Sequence, residues 1–222
     1  MRFIEQNADI GVLAAEIPTA ARVFIDRGID FCCVGPRSID AACRDNQADA
    51  GQVIEEIEKT FSEQSTLQPA DGSIEGLVDF VNDRYLRPLG SKLAAIESLL
   101  DKVIRAHGAG IFGTREGVRA VFSNLSSYLW DHLQQKEDVL FPSILAGNSW
   151  SVRQSLKTMQ DADTRLSQHL DMLSRLTSGF ITTSAMCAAE KALMSLLHEL
   201  TTDLAAELHV EHNLLYPMAL RE

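Results

Sequence analysis

The chain has 222 residues, 45% of them hydrophobic, enough for a substantial core in one large domain or in a medium domain with a small appendage. Its net charge of −11 leaves no Lys/Arg surplus to neutralise phosphates, which excludes nucleic acid as an expected partner. No apolar run reaches the roughly 18–20 residues needed to span a bilayer, and Met1–Gln6 shows no signal-peptide pattern, so a cytoplasmic protein with no membrane partner is expected.

The first expected unit covers residues 1–61 and is a small helical domain. A short apolar helix ends at Ile17, and Pro18 suits the first turn of the next helix. Gly28 stops that helix and delivers Cys32 and Cys33 into a loop closed by Gly35 and Pro36. Ser38 is placed to cap a helix reaching about Arg44. Residues 48–62 then predict a charged helix with Val53, Ile54, Ile57 and Phe61 on its apolar side. Adjacent thiols in such a turn suit thiol exchange, nitrosation or capture of a soft metal, and Cys32 and Cys33 equally suit a packing strip with Phe31 and Val34. Cys43 and Cys187 read as packing residues.

Residues 62–73 are polar, contain Pro69 and Gly72, and predict a linker. Beyond them, residues 74–222 carry helical periodicity over about 74–106, 115–146, 150–177 and 184–218, with a kink expected at Pro88 and Gly90. Four long amphipathic helices with short connections predict an all-α, up-down-up-down four-helix bundle. A unit as small as residues 1–61 needs a surface to lean on, so a homodimer is also an expectation.

One eleven-residue pattern occurs twice in the bundle. Residues 132–142 and 207–217 each place an ionisable residue at positions one and five and Leu at positions two and nine, ending in an aromatic residue and Pro. Residues four apart share a helix face, so His132 with Lys136, and Glu207 with Glu211, form two paired grips. Such pairs build metal sites inside bundles, but an ammonium cannot ligate a metal.

These features together resemble the iron–sulfur-cluster repair di-iron proteins, in which a small Cys-Cys domain precedes a hemerythrin-like bundle. The resemblance rests on Ile17-Pro18-Thr19-Ala20-Ala21, Gly28-Ile29-Asp30-Phe31-Cys32-Cys33, Arg84-Tyr85, Lys102-Val103, Ala106-His107-Gly108, His132 with Leu140-Phe141-Pro142, and Glu211 with Leu214-Leu215-Tyr216-Pro217. It implies a response to nitrosative or oxidative stress, two bound irons, and proteins with damaged iron–sulfur clusters as partners.

The resemblance also implies six ligands, of which His132 and Glu211 stand unchanged. Leu86 and Lys136 occupy two of the other positions, Asp163 falls near a third, and Glu207 holds the last. Candidate metal ligands are therefore His132, Glu137, Asp163, Glu207 and Glu211, with Glu137 needing a local helix adjustment to turn inward. Three outcomes stay open: a di-iron centre, a single oxygen-rich metal, or no metal, with Lys136 supplying the positive charge among the carboxylates. His209 and His212 are expected on other helix faces, His169 and His198 as solvated or satisfied histidines, and His107 as a helix cap.

Overall fold

The computed structural model describes residues 4–29, 31, 37–66, 73–108 and 114–220. Cys32 and Cys33, residues 67–72 of the expected linker and residues 109–113 of the expected loop lie outside the described residues. Every extended element is helical, and the described residues contain no strand beyond an isolated bridge between Asp9 and Ser38. No described helix is long and apolar enough to cross a membrane.

The chain forms two compact units. The first comprises residues 1–66, 91–116 and 177–200. Its N-terminal helices are α1 (Ile10–Glu16), α2 (Pro18–Asp26), α3 (Ile39–Asp45) and α4 (Ala50–Thr66). Asp9 caps α1 by accepting the Val12 N–H at 2.9 Å, and it also accepts the Arg37 N–H at 2.8 Å. At Gly28, with φ of +67°, helix α2 ends as the sequence predicts. The Ile29 N–H reaches the Phe24 carbonyl at 2.8 Å and the Gly28 N–H reaches Ile25 at 3.0 Å, with Phe24 and Ile29 both buried. Ser38 caps α3 as expected. Phe61, in contrast, is exposed rather than on the apolar side of α4.

The second unit comprises residues 67–90, 117–176 and 201–222. It takes in α5 (Ile74–Val81), α8 (Phe141–Leu145), α11 (Tyr216–Ala219), the first residues of α6 (Arg87–His107), most of α7 (Thr114–Gln135), α9 (Ser149–Leu176) and the end of α10 (Ala188–Val210). Three wide π-turns interrupt these helices, at Asn82–Leu86, Lys136–Leu140 and Glu211–Leu215. In each, the N–H after the turn bonds a carbonyl five residues back: Arg87 to Asn82, Phe141 to Lys136, Tyr216 to Glu211. The next residue is proline every time, Pro88, Pro142 or Pro217. Proline has no N–H and its ring crowds the carbonyl four residues back. Widening the preceding turn moves that carbonyl aside and keeps the helix running. The kink expected at Pro88 is thus a π-turn, and it belongs to a threefold pattern.

Each π-turn closes on a buried leucine, Leu86, Leu140 or Leu215. These pack with Ile74, Val81, Phe141 and Tyr216 in one apolar cluster of the second unit. The polar residues of the repeated pattern lie just before two of these turns.

Candidate functional site

The two grips face inward. His132, Lys136, Glu207 and Glu211 are all buried, and Lys136 and Glu211 have no exposed surface. The Lys136 ammonium donates to Glu207 Oε1 at 2.7 Å and to Glu211 Oε2 at 2.8 Å. Tyr216, five residues after Glu211 and aligned with it by the π-turn, donates its hydroxyl to Glu211 Oε2 at 2.9 Å. Two carboxylates removed from water thus share one ammonium and one phenol, the arrangement such burial requires.

The electrostatics follow from that sharing. Burial opposes the Lys136 charge, but the two carboxylates outweigh it and hold its pKa above the ordinary lysine range. Burial pushes the Glu207 carboxyl up to about 6, with Lys136 acting against the rise and Glu211 adding to it. Burial and the Glu211 carboxylate likewise raise the Tyr216 hydroxyl. The group is therefore anionic near neutral pH and takes up a proton as the pH falls through about 6.

Beside it lies a second polar group. Asp163, on α9, meets His212 Nε2 through Oδ2 at 2.6 Å, and its Oδ1 stands 3.5 Å from His132 Nε2. Burial, and next the Lys136 charge, lower the His132 pKa to about 3, so this imidazole is neutral at physiological pH and its contact with Asp163 is not an ion pair. Burial raises the Asp163 carboxyl against the opposing His212 hydrogen bond. His132 stacks on Tyr128, whose other neighbour is His169. Both His132 nitrogens, Asp163 Oδ1 and Glu211 Oε1 are buried with no hydrogen-bond partner among the described residues.

The structure thus gathers four of the five expected ligand residues, His132, Asp163, Glu207 and Glu211, into two neighbouring polar groups of the second unit. Glu137 is not gathered: it is exposed. The helix adjustment expected there is present, but the π-turn starts at Lys136 and keeps that residue inward, while its successor is carried round to solvent. His212 corrects the sequence expectation in the opposite sense, since it contacts Asp163 rather than standing apart. A π-turn advances each residue by less than the ~100° of an α-helix, so His212 stays closer to the inward face. His209 remains outward, against Asn213. The Leu–aromatic–Pro ending of the repeat was the available signal for the turn.

The hydroxyl of Tyr216 offers a direct test of the network. Tyr216→Phe removes a hydrogen bond to a buried carboxylate and is expected to lower stability by about 2 kcal/mol in urea denaturation. An unchanged midpoint would show that Glu211 does not depend on the phenol.

With the helices and the polar centre placed, sequence comparison assigns the family. The hemerythrin HHE cation binding domain family matches residues 82–219, more than half of the chain. The chain belongs to that family. This hemerythrin domain is preceded by a match to ScdA_N, a domain of unknown function (DUF542), over residues 6–60. The chain is also 29% identical to proteins named iron–sulfur cluster repair protein YtfE in Yersinia pestis (strain Pestoides F) and Yersinia pseudotuberculosis serotype O:1b (strain IP 31758). Each match spans 97% of this chain and 98% of the relative.

Membership in a cation-binding family raises the question whether these residues fit two irons. They do not. Leu86 has no donor atom and packs in the apolar cluster. The Lys136 ammonium holds Glu207 Oε1 and Glu211 Oε2, where cations would have to bind. Asp163 is engaged by His212. Where three described residues do bring ligand atoms within 4.8 Å of one another, they are His107, Cys187 and Glu190 of the first unit, not the residues of this hemerythrin centre.

Proposed function

We propose that this hemerythrin-family protein serves in the repair of iron–sulfur clusters damaged by nitrosative or oxidative stress, and that it does so as a regulatory form without a di-iron centre. The repair reading rests on the end-to-end likeness to the curated repair proteins. The metal-free reading is carried by one observation: the buried Lys136 ammonium lies within hydrogen-bond distance of both carboxylates that a metal would need. A cation fixed covalently to the helix neutralises Glu207 and Glu211 without an iron supply. The bundle is then a permanently closed scaffold, and the chemistry of the response falls to contacts with the damaged protein and to the thiols of Cys32 and Cys33.

Two measurements test this. Full-length protein purified without oxygen from iron-replete cells is expected to carry well under one iron per chain, and two irons per chain would overturn the metal-free reading. Added to an extract treated with nitric oxide, the protein is expected to speed recovery of an iron–sulfur dehydratase, and an unchanged recovery rate would overturn the repair reading. The partnerless atoms of His132, Asp163 and Glu211 favour one alternative, a single oxygen- and nitrogen-ligated cation beside the Lys136 group. One tightly held metal per chain, lost in His132→Ala, would establish that alternative.

A further inference from the structure

Away from the polar centre just described, the first unit brings together a second set of metal-ligating side chains. His107 is the last residue of α6, and Gly108, with φ of +70°, ends the helix there. Cys187 immediately precedes α10, and Glu190 lies in the first turn of that helix. His107 Nε2 stands 3.3 Å from Cys187 Sγ, across 80 residues of sequence. One ligand atom each from His107, Cys187 and Glu190 falls within 4.8 Å of the others.

Each of the three is held in place. Glu190 reaches back to accept the Cys187 N–H at 3.1 Å, the return half of a capping box in which cysteine stands where serine or threonine is usual. Arg115 donates to Glu190 Oε1 through Nε at 3.1 Å and Nη2 at 2.6 Å, and its Nη1 donates to the His107 carbonyl at 3.3 Å. Arg115 therefore ties the carboxylate to the end of α6, while Glu190 Oε2 keeps a lone pair beyond the one given to Cys187. Burial works against the Glu190 charge, but the Arg115 and Cys187 hydrogen bonds outweigh it and hold the carboxyl below its ordinary range.

We infer that His107, Cys187 and Glu190 form a mononuclear site for a borderline divalent cation, zinc foremost, with its fourth position open to water or a small ligand. The donor set is the reason. A thiolate, an imidazole and a carboxylate are the three ligand types zinc takes, and three protein ligands with one open position mark sites that bind exchangeable groups. The distance agrees as well. Tetrahedral zinc with bonds of about 2.0 Å to nitrogen and 2.3 Å to sulfur separates these two atoms by roughly 3.5 Å, close to the 3.3 Å observed. On binding, the Cys187 thiol becomes a thiolate and its proton passes to the buffer, one for each ion bound. Arg115 is the positioning residue that fixes Glu190. None of these residues belongs to the Lys136 group, so the site stands whether or not the hemerythrin centre carries a metal.

The test uses cobalt as a spectroscopic probe of the full-length chain carrying Cys32→Ser and Cys33→Ser. One Co²⁺ per chain is expected to bind with a thiolate-to-cobalt charge-transfer band and to be displaced by Zn²⁺. Cys187→Ser is expected to abolish the band, His107→Gln or Glu190→Gln to weaken binding roughly 100-fold, and Arg115→Ala to weaken it about 10-fold, with far-ultraviolet circular dichroism unchanged. In the unaltered chain, one equivalent of Zn²⁺ is expected to protect Cys187 from alkylation, read by peptide mapping. A missing band, a band that survives Cys187→Ser, or alkylation of Cys187 at an undiminished rate in Zn²⁺ would overturn the site.

Discussion

Replacing Lys136 by methionine is expected to lower stability by about 3–5 kcal/mol at neutral pH, because it leaves Glu207 and Glu211 buried as charges with no partner. The loss should be specific to the missing charge, since methionine nearly preserves the volume. Two further results follow. In the triple variant Lys136→Met, Glu207→Gln, Glu211→Gln, neutral amides replace the anions and most of the loss should return. Lowering the pH should also narrow the gap between the single variant and the wild type. Glu207 already has its pKa raised from 4.5 to about 6 in the folded protein. A carboxyl raised on folding binds its proton more tightly in the native state, so its contribution is fully present below the unfolded value and disappears as pH rises through the folded value. Without the ammonium that opposes this rise, the pKa moves further up, and protonation rescues the variant over a wider span of pH. At the alkaline end the sign concerns Lys136 itself. Its pKa is raised above 10.5 on folding, so the stability it provides is present below that value and is lost as the pH climbs beyond it. Urea denaturation at about pH 5, 7 and 10 reads all three results. A Lys136→Met variant within about 0.5 kcal/mol of the wild type at pH 7 would show that the network is not what holds this centre closed.

The second large effect is a gain. The ligand set implied by the resemblance is restored by four changes, Leu86→His, Lys136→Glu, Asp163→His and Glu207→His, with His132 and Glu211 kept. This variant is expected to bind two irons per chain where the wild type carries well under one. Removing the ammonium frees Glu211 Oε2, and the new side chains fill positions already turned inward by their helices. Leu86→His places an imidazole against the apolar cluster, so the metal-free variant should be less stable than the wild type and regain stability with iron. Elemental analysis together with thermal unfolding, each with and without Fe²⁺, checks both halves. A folded quadruple variant with the iron content of the wild type would mean that the backbone, and not only the ligands, has left the metal-binding geometry.

Much of this was readable in advance, for physical reasons that differ from residue to residue. Gly28 and Ser38 announce helix ends because only certain residues adopt a left-handed turn or supply a capping oxygen, and both do so here. His132 with Lys136 and Glu207 with Glu211 could be read as inward pairs because spacing of four is the helix's own period. The exposure of Phe61 could not, since an amphipathic pattern marks a face without saying how far along the helix that face is covered. The positions of Glu137 and His212 depend on π-turns, whose period is not that of the α-helix used to read the sequence. The approach of His107 to Cys187 joins residues 80 positions apart, and each is unremarkable in its own segment. Contacts of that kind are set by how helices meet.

The π-turns have an evolutionary consequence. Each makes its helix run in two reading frames, one before the turn and one after it. The first frame addresses the polar centre through 132 and 136, and through 207 and 211. The second addresses the apolar cluster through Phe141 and Ile144, and through Tyr216 and Ala219. A one-residue deletion inside a turn would restore a continuous α-helix and rotate everything downstream by about 100°, scrambling the second frame while leaving the first as it was. Substitution in the first frame has no such reach. The centre is therefore free to exchange imidazoles for carboxylates, or a carboxylate for an ammonium, under a core whose addressing does not change.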